Sequence, residues 1–252
     1  VTTAFDLAGR VAVVTGGGRG LGRAMAEGLA TAGAAVVVTS RTEARNQEVA
    51  EAIRVAGGRA LGVVADVRDP DQIASAFSRA REAFGRVDIL VNNAGVSPVY
   101  KYAEDVTPAE WETIVDTNLR GVFFAAQVAC RFMRDSGGGR IINVASAAGA
   151  EGTPRLSVYG ATKAGVINLT RTLALEWQRH GILVNAIAPG FFEVGVGEPL
   201  LESHHRERIL ARIPLGRVGT KAEIAGIAVF LASDASSYMT GQTVFVDGGW
   251  LA

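Results

Sequence analysis

Along this chain, short apolar runs rich in β-branched residues alternate with longer stretches whose apolar positions recur at helical spacing. That alternation is the mark of a parallel sheet with crossover helices. Seven strands are predicted, at residues 11–15, 35–39, 60–64, 87–91, 140–145, 182–187 and 243–246. Turn signals place helix starts at Gly20, at Thr42 and at Pro70-Asp71. A further start falls at Thr107-Pro108-Ala109-Glu110, with Thr as cap, Pro in the first helical position and Glu three residues after the cap. The expected fold is α/β, a doubly wound Rossmann fold with a seven-stranded parallel sheet and helices on both faces. Residues 191–213 break the rhythm and are read as a lid over one end of the sheet.

Length alone permits two domains of about 100 to 150 residues each, but no linker divides the chain, so residues 1–252 are read as one catalytic domain. With 48% hydrophobic and 20% charged residues the chain can bury a large core and lacks the signature of disorder. Lys plus Arg and Asp plus Glu both number 25, which removes the basic excess expected of a nucleic-acid partner. The opening Val-Thr-Thr-Ala-Phe-Asp has neither the charged nor the apolar region of a signal peptide, and no long apolar stretch suggests a membrane span. The expectation is a cytoplasmic protein. The one cysteine, Cys130, has apolar neighbours and is read as a buried helix position in a reducing compartment.

Candidate chemistry begins where the first strand runs into Thr15-Gly16-Gly17-Gly18-Arg19-Gly20-Leu21-Gly22 and then a helix. Glycines there let the backbone turn sharply and approach a pyrophosphate, whose charge meets N–H groups and the positive end of the helix dipole. Tight turns also need glycine for steric reasons alone, so the strand-turn-helix setting carries this reading. The second strand ends Val38-Thr39-Ser40-Arg41, without the acidic residue that usually meets a ribose 2′-hydroxyl. Arg41 and Arg19 suit a 2′-phosphate instead, which favours NADP(H) over NAD(H); otherwise both are solvated helix-start residues.

Tyr159 and Lys163, four apart, share one helix face. A nearby ammonium favours phenolate, which makes Tyr159 a candidate general acid and base; the bland alternative is a core tyrosine with an exposed lysine. Ser146 changes that balance, since it ends the strand Ile141-Ile142-Asn143-Val144-Ala145 where open α/β sheets place ligands, and a hydroxyl there can steady a substrate oxygen. Asn118 is polar in an otherwise apolar helix and either joins a proton network or bonds to backbone.

Together these residues resemble the short-chain dehydrogenase/reductase family over essentially the whole chain. The Gly-rich turn is Thr15 to Gly22, the adenine-contacting Asp-Val is Asp66-Val67, and the Asn-Asn-Ala-Gly is Asn92-Asn93-Ala94-Gly95. The family's Asn, Ser, Tyr and Lys fall on Asn118, Ser146, Tyr159 and Lys163, with thirteen residues from Ser to Tyr. The resemblance implies that Tyr159 gives or takes the proton, that Lys163 lowers its pKa and holds the nicotinamide ribose, that Ser146 orients the substrate and that Asn118 completes a water relay. Asn93, Ala94 and Gly95 are expected at the cofactor, as are Pro189 and Gly190. The ending Asp247-Gly248-Gly249-Trp250 resembles one that members use in building tetramers, so a homotetramer or homodimer is expected. Many members place Thr where this chain has Val194, and that hydrogen bond to the carboxamide is lost here.

Substrate-side candidates are Ser97 with Val96, Ala148, and Phe191 and Phe192, the last two with Leu200 forming an apolar wall that favours ketones of moderate size over heavily hydroxylated sugars. Arg155 can bind a carboxylate or pair with Glu151 four residues earlier, and the pairing is preferred. His204 and His205 read as surface residues and no metal is expected. The stretch Pro214-Leu215-Gly216-Arg217 looks like that of acyl-carrier-protein ketoreductases. Their carrier-binding arginines would fall near Gly137 and His180, with only Arg140 and Arg179 close by. The leading expectation is an NADP(H)-linked carbonyl reductase acting on a free ketone or secondary alcohol. Alternatives are an NAD-linked dehydrogenase of a hydroxy acid or sugar acid, a 3-oxoacyl thioester reductase, and a non-catalytic cofactor-binding sensor or scaffold.

Overall fold

The computed structural model describes residues 4–194, 201 and 205–252. Seven strands form one parallel sheet: β1 (Val11–Thr15), β2 (Ala35–Ser40), β3 (Arg59–Val64), β4 (Ile89–Asn92), β5 (Gly139–Val144), β6 (Ile182–Pro189) and β7 (Thr243–Val246). Their order is β3-β2-β1-β4-β5-β6-β7. The expected seven strands are all present, most with ends displaced by one or two residues. The largest differences are at β6, which continues to Pro189, and at β4, which starts at Ile89 instead of Val87. Asp88 explains the latter, because its carboxylate, rather than a ladder carbonyl, accepts the Val11 N–H at 2.9 Å.

The strands are buried on both faces, so alternate side chains enter different cores. Ala12, Val14, Val36 and Val38 pack against α1 (Gly20–Thr31) and α2 (Glu43–Val55). Val11, Val13, Val37 and Leu90 pack instead against α3 (Pro70–Phe84) and α5 (Gly121–Asp135). Two further helices complete the layers: α6 (Ser157–Trp177), whose Leu173 and Ala174 join the α3–α5 side, and α8 (Lys221–Ala232), which lies on α1. Between them in sequence comes the short α7 (Arg206–Arg212). Burial of a large side chain such as Phe77 or Met25, both inaccessible to solvent, contributes about 1.5–3 kcal/mol.

Helix starts follow local chemistry. Asp69 accepts the Asp71 and Gln72 amides ahead of α3, with Pro70 in the first position. Thr107 and Glu110 form the predicted reciprocal cap of α4 (Pro108–Val115). A second such box, Thr220 with Glu223, opens α8. Helix α1 is the contrast: its N-terminus has no side-chain cap and no acid in its first turn, so its amides and its positive dipole end stay free for an anion.

The strand order reverses between β1 and β4, and the crevice outside their carboxyl ends is where open α/β sheets take ligands. No helix of the described residues is long and apolar enough to cross a membrane. Cys130 is half-buried on α5, less enclosed than expected, and burial pushes its thiol pKa up.

Candidate active site

The turn after β1 is fixed by the loop after β4. Asn93 donates from Nδ2 to the carbonyls of Thr15 (3.0 Å) and Gly16 (3.1 Å), and the Asn93 and Ala94 amides donate to Thr15 Oγ1. Asn93 thus shapes the turn with its side chain. Two glycines are obligatory here: Gly16 has φ 63, and a Cβ on Gly22 would stand 2.3 Å from the Gly16 carbonyl oxygen. Beyond the turn a cleft of about 590 Å³ is lined by Gly18, Arg19, Gly20, Arg23, Arg45, Val194 and Lys221, with Glu27 and Glu48 paired to Arg23. Uncapped helix amides, a glycine cradle and the cations Arg19, Arg45 and Lys221 fit a dinucleotide carrying an extra phosphate.

Within that frame Ser40 donates to Asn46 Oδ1 at 2.6 Å, and Arg41 is exposed beside it. Arg45, absent from the sequence reading, lines the cleft with its Cβ 3.1 Å from where a Cβ on Gly18 would stand. Its place in the first turn of α2, the helix that follows β2, was the available signal. Leu21 packs on the α1 core. Asp66 is held in a paired contact by Arg68, which keeps its carboxyl below the usual range, and the buried Val67 packs on Gly121. Pro189 ends β6, and a Cβ on Gly190 would strike Asp247 at 2.8 Å, so the turn there is tight.

The second half of the site lies at the carboxyl end of β5. Ser146 follows that strand, and its Oγ accepts the Ala148 amide at 3.2 Å. Tyr159 occupies the first turn of α6 and shares a hydrogen bond with Ser146. Close backbone contact seats the helix: Cβ atoms on Gly160 and Gly149 would meet the Ala148 carbonyl oxygen at 2.9 Å and the Lys163 carbonyl carbon at 2.7 Å. Lys163 is only 3% exposed, which removes the bland reading of a solvated lysine. Its Nζ donates to the Val144 carbonyl at 2.8 Å and lies 5.7 Å from the centre of the Tyr159 ring.

The electrostatics correct one expectation. Burial brings the Lys163 ammonium down to about 8, and burial holds the Tyr159 phenol above its ordinary value, with Ser146 pulling the other way. Ser146, and not Lys163 as expected, is the group that pulls the phenol down.

Asn118 sits in a π-helical turn, Asp116–Arg120, between α4 and α5. Its side chain clamps the β4 loop, accepting the Val96 amide and donating to the Val96 carbonyl, both at 2.8 Å, with Thr162 Oγ1 at 3.5 Å. A Cβ on Gly95 would stand 3.5 Å from both Asn118 Oδ1 and Lys163 Nζ, so glycine keeps open the space between them. Gly95 thus lies between Asn118 and Lys163, and Ser146 and Tyr159 share a hydrogen bond beside them, all at the carboxyl ends of β4 and β5.

Three substrate-side expectations change. Phe192 is 4% exposed and packs its ring on Gly219 within the core, so it forms no open pocket wall. Phe191 instead stacks edge-on against Trp250 at 5.2 Å. Arg155 does not pair with Glu151: residues 151–156 are not helical, so a separation of four brings no side chains together. Glu151 reaches Arg212 and the Trp250 indole N–H. Ser97 and Ala148 are half-buried beside the crevice loops. Of the expected lid, residues 195–200 and 202–204, Leu200 and His204 among them, lie outside the described residues. No cluster of metal-ligating side chains occurs among the described residues.

This fold and crevice define a nucleotide-dependent oxidoreductase class. A family profile described as enoyl-(acyl carrier protein) reductase matches residues 16–251. The chain is 43% identical, over 100% of its length and 99% of the relative's, to 2-dehydro-3-deoxy-D-gluconate 5-dehydrogenase of Escherichia coli (strain K12). It is 41% identical to the 3-oxoacyl-acyl-carrier-protein reductase of the same organism, over 97% and 98% of the two chains. Among solved structures, the gluconate 5-dehydrogenase of Burkholderia cenocepacia J2315 in complex with NADP and tartrate superposes with a TM-score of 0.95 at 39% identity, covering 99% and 98%. The chain belongs to the short-chain dehydrogenase/reductase family.

Proposed function

We propose that the protein is an NADP(H)-linked oxidoreductase of a free small ketone or secondary alcohol, with Tyr159 as general acid and base. The observation that carries this reading is the Ser146, Tyr159 and Lys163 set, in which half-buried Ser146 and Tyr159 share a hydrogen bond beside the buried Lys163 ammonium. The cofactor, when bound, supplies or takes the hydride. Arg19, Arg41 and Arg45 hold the extra phosphate of NADP(H), and the α1 amides hold its pyrophosphate. Val194 lines that cleft but offers no side-chain hydrogen bond to the ring end.

Ser146 Oγ orients the substrate oxygen beside the Tyr159 hydroxyl. An ordinary phenol is already protonated at neutral pH, and burial raises this one further, so Tyr159 is ready to donate to a developing alkoxide. Oxidation of an alcohol needs the opposite transfer and gains as pH rises. Lys163, hydrogen-bonded to the Val144 carbonyl, keeps a cation or a neutral amine within reach of the phenol, and Asn118 fixes the loop bearing Gly95 and Val96.

Relatives act on sugar acids and on a carrier-bound thioester, and one observation favours a free substrate. Arg140, one of the two arginines near the carrier-docking positions, is half-buried and turned toward Asp234, and Arg179 bonds to His180. The lid expected over residues 191–213 is supported by the small apolar cluster of Leu201, Ile209 and Ile213 with Phe191 and Trp250. Assembly as a homotetramer is supported by exposed Phe123, Leu175 and Phe245.

The test follows reduced-nicotinamide absorbance while the purified protein meets ketones and alcohols with NADPH and NADH, NADP⁺ and NAD⁺. Turnover favouring the phosphorylated cofactor is expected, and Tyr159→Phe should cut kcat by about 10²-fold or more with cofactor affinity retained. Undiminished turnover by that variant would defeat the mechanism.

A further inference from the structure

Two loops meet over the carboxyl end of the sheet, one following β4 and one following β5, and Arg155 joins them. Its carbonyl accepts the Lys101 amide at 3.2 Å. Its guanidinium lies 4.7 Å from the Tyr102 ring centre and 5.4 Å from that of Tyr100, and Nη2 donates to the Tyr102 hydroxyl at 3.1 Å. Among the described non-glycine residues, Arg155 alone has a positive φ, 68. That conformation is disfavoured for an arginine, whereas glycine or asparagine would adopt it readily. The turn itself therefore does not call for arginine.

Two acids near these loops are engaged elsewhere. Glu151 binds Arg212 and Trp250, and Glu110 binds Lys101 and the Thr107 amide. Among the described residues no carboxylate lies within ion-pair distance of Arg155. A guanidinium stacked on aromatic rings is already oriented, and the rest of its planar donor fork matches a carboxylate. Arg155 also stands four residues before Tyr159, which bounds the separation of their Cα atoms to about 14 Å.

We propose that Arg155 is a specificity-determining residue that receives a carboxylate of the substrate, so that this chain acts on hydroxy and oxo acids in preference to neutral carbonyl compounds. The assignment rests on the oxidoreductase reading above. It also agrees with the burial of Phe192, which removes the apolar wall that had argued against polar substrates.

The experiment compares a panel of free hydroxy acids that includes D-gluconate, each against its methyl ester, with NADP⁺ and full-length wild type, Arg155→Met, Arg155→Lys and Arg155→Asn. Arg155→Asn accepts the left-handed backbone, so it separates loss of the charge from loss of the fold. Wild type should prefer acid to ester. Arg155→Met and Arg155→Asn should lose roughly 10- to 100-fold in kcat/KM on the acid, mainly through KM, with ester turnover and NADPH affinity unchanged. Arg155→Lys should recover part of the loss. Equal turnover of acid and ester by wild type, or equal losses on both in the variants, would overturn the assignment while leaving the oxidoreductase reading intact. Absence of turnover of every acid, ester, neutral ketone and alcohol with either cofactor would instead remove that reading and the assignment with it.

Discussion

Lys163 shows most directly what the site demands of a single residue. Burial lowers its ammonium from 10.5 to about 8, while the unfolded chain keeps the proton to the ordinary lysine value. Between those two values the unfolded state binds more protons than the folded one, so stability rises with pH through that window; below about 8 both states are protonated and this contribution is flat. The folded protein at neutral pH therefore carries a penalty of about 3 kcal/mol. Lys163→Met removes the buried charge and forfeits one hydrogen bond to the Val144 carbonyl, about 1 kcal/mol. The ligand-free variant should be more stable than wild type at neutral pH by about 1–2 kcal/mol, and thermal melts should show the gap closing as pH passes upward through the window. A wild type at least as stable at neutral pH would mean that the ammonium is better solvated than its burial implies. Turnover should fall in the same variant, which makes this a residue kept for chemistry at the expense of stability.

At the scale of elements, Glu151 ties the α7 segment to the rest of the molecule. Its carboxylate reaches Arg212 at the end of α7 and the Trp250 indole near the carboxyl terminus, while Arg212 also stacks 3.9 Å over the Trp250 ring. Little else of the main core holds this helix, so local opening should depend on that junction. In Glu151→Ala, trypsin cleavage at Arg206, Arg208 and Arg212 should accelerate several-fold relative to wild type, with the global melting temperature nearly unchanged. Unaltered cleavage would show that the apolar contacts of Ile209 and Ile213 suffice.

This junction also shows what periodicity can and cannot reveal. The seven strands and the Thr107 cap were legible because each is a local pattern: apolar runs and a fixed three-residue spacing. Ser146, Tyr159 and Lys163 were legible because one terminates a strand and the others share a helical face. The pairing of Arg155 with Glu151 failed because the same spacing has no such meaning in a loop, and the partners of Glu151 lie 61 and 99 residues away. The π turn that aims Asn118 at Val96 adds a residue to a helix without any compositional mark. Arg45 escaped notice because its approach to Gly18 depends on how α2 packs beside the Gly-rich turn.

At the scale of the whole molecule, several large apolar side chains stand exposed. Phe123 on α5 and Leu175 on α6 face outward, and Tyr238 and Phe245 stand exposed beside β7, which lies at the end of the sheet. An edge strand offers unpaired backbone groups to another chain, and exposed aromatic side chains beside it strengthen that tendency. Formal net charge is zero, so little electrostatic repulsion keeps copies apart. The two patches lie on different elements, which suits an assembly with two kinds of interface, a homotetramer being the simplest closed form. Sedimentation equilibrium should give the mass of a tetramer of the 26.3 kDa chain. Placing charge beside β7 through Tyr238→Asp with Phe245→Asp should leave dimers joined through α5 and α6, because a buried unpaired carboxylate costs several kcal/mol. A monomer mass for wild type would defeat the proposal; a tetramer unaffected by the double substitution would move the second interface away from β7.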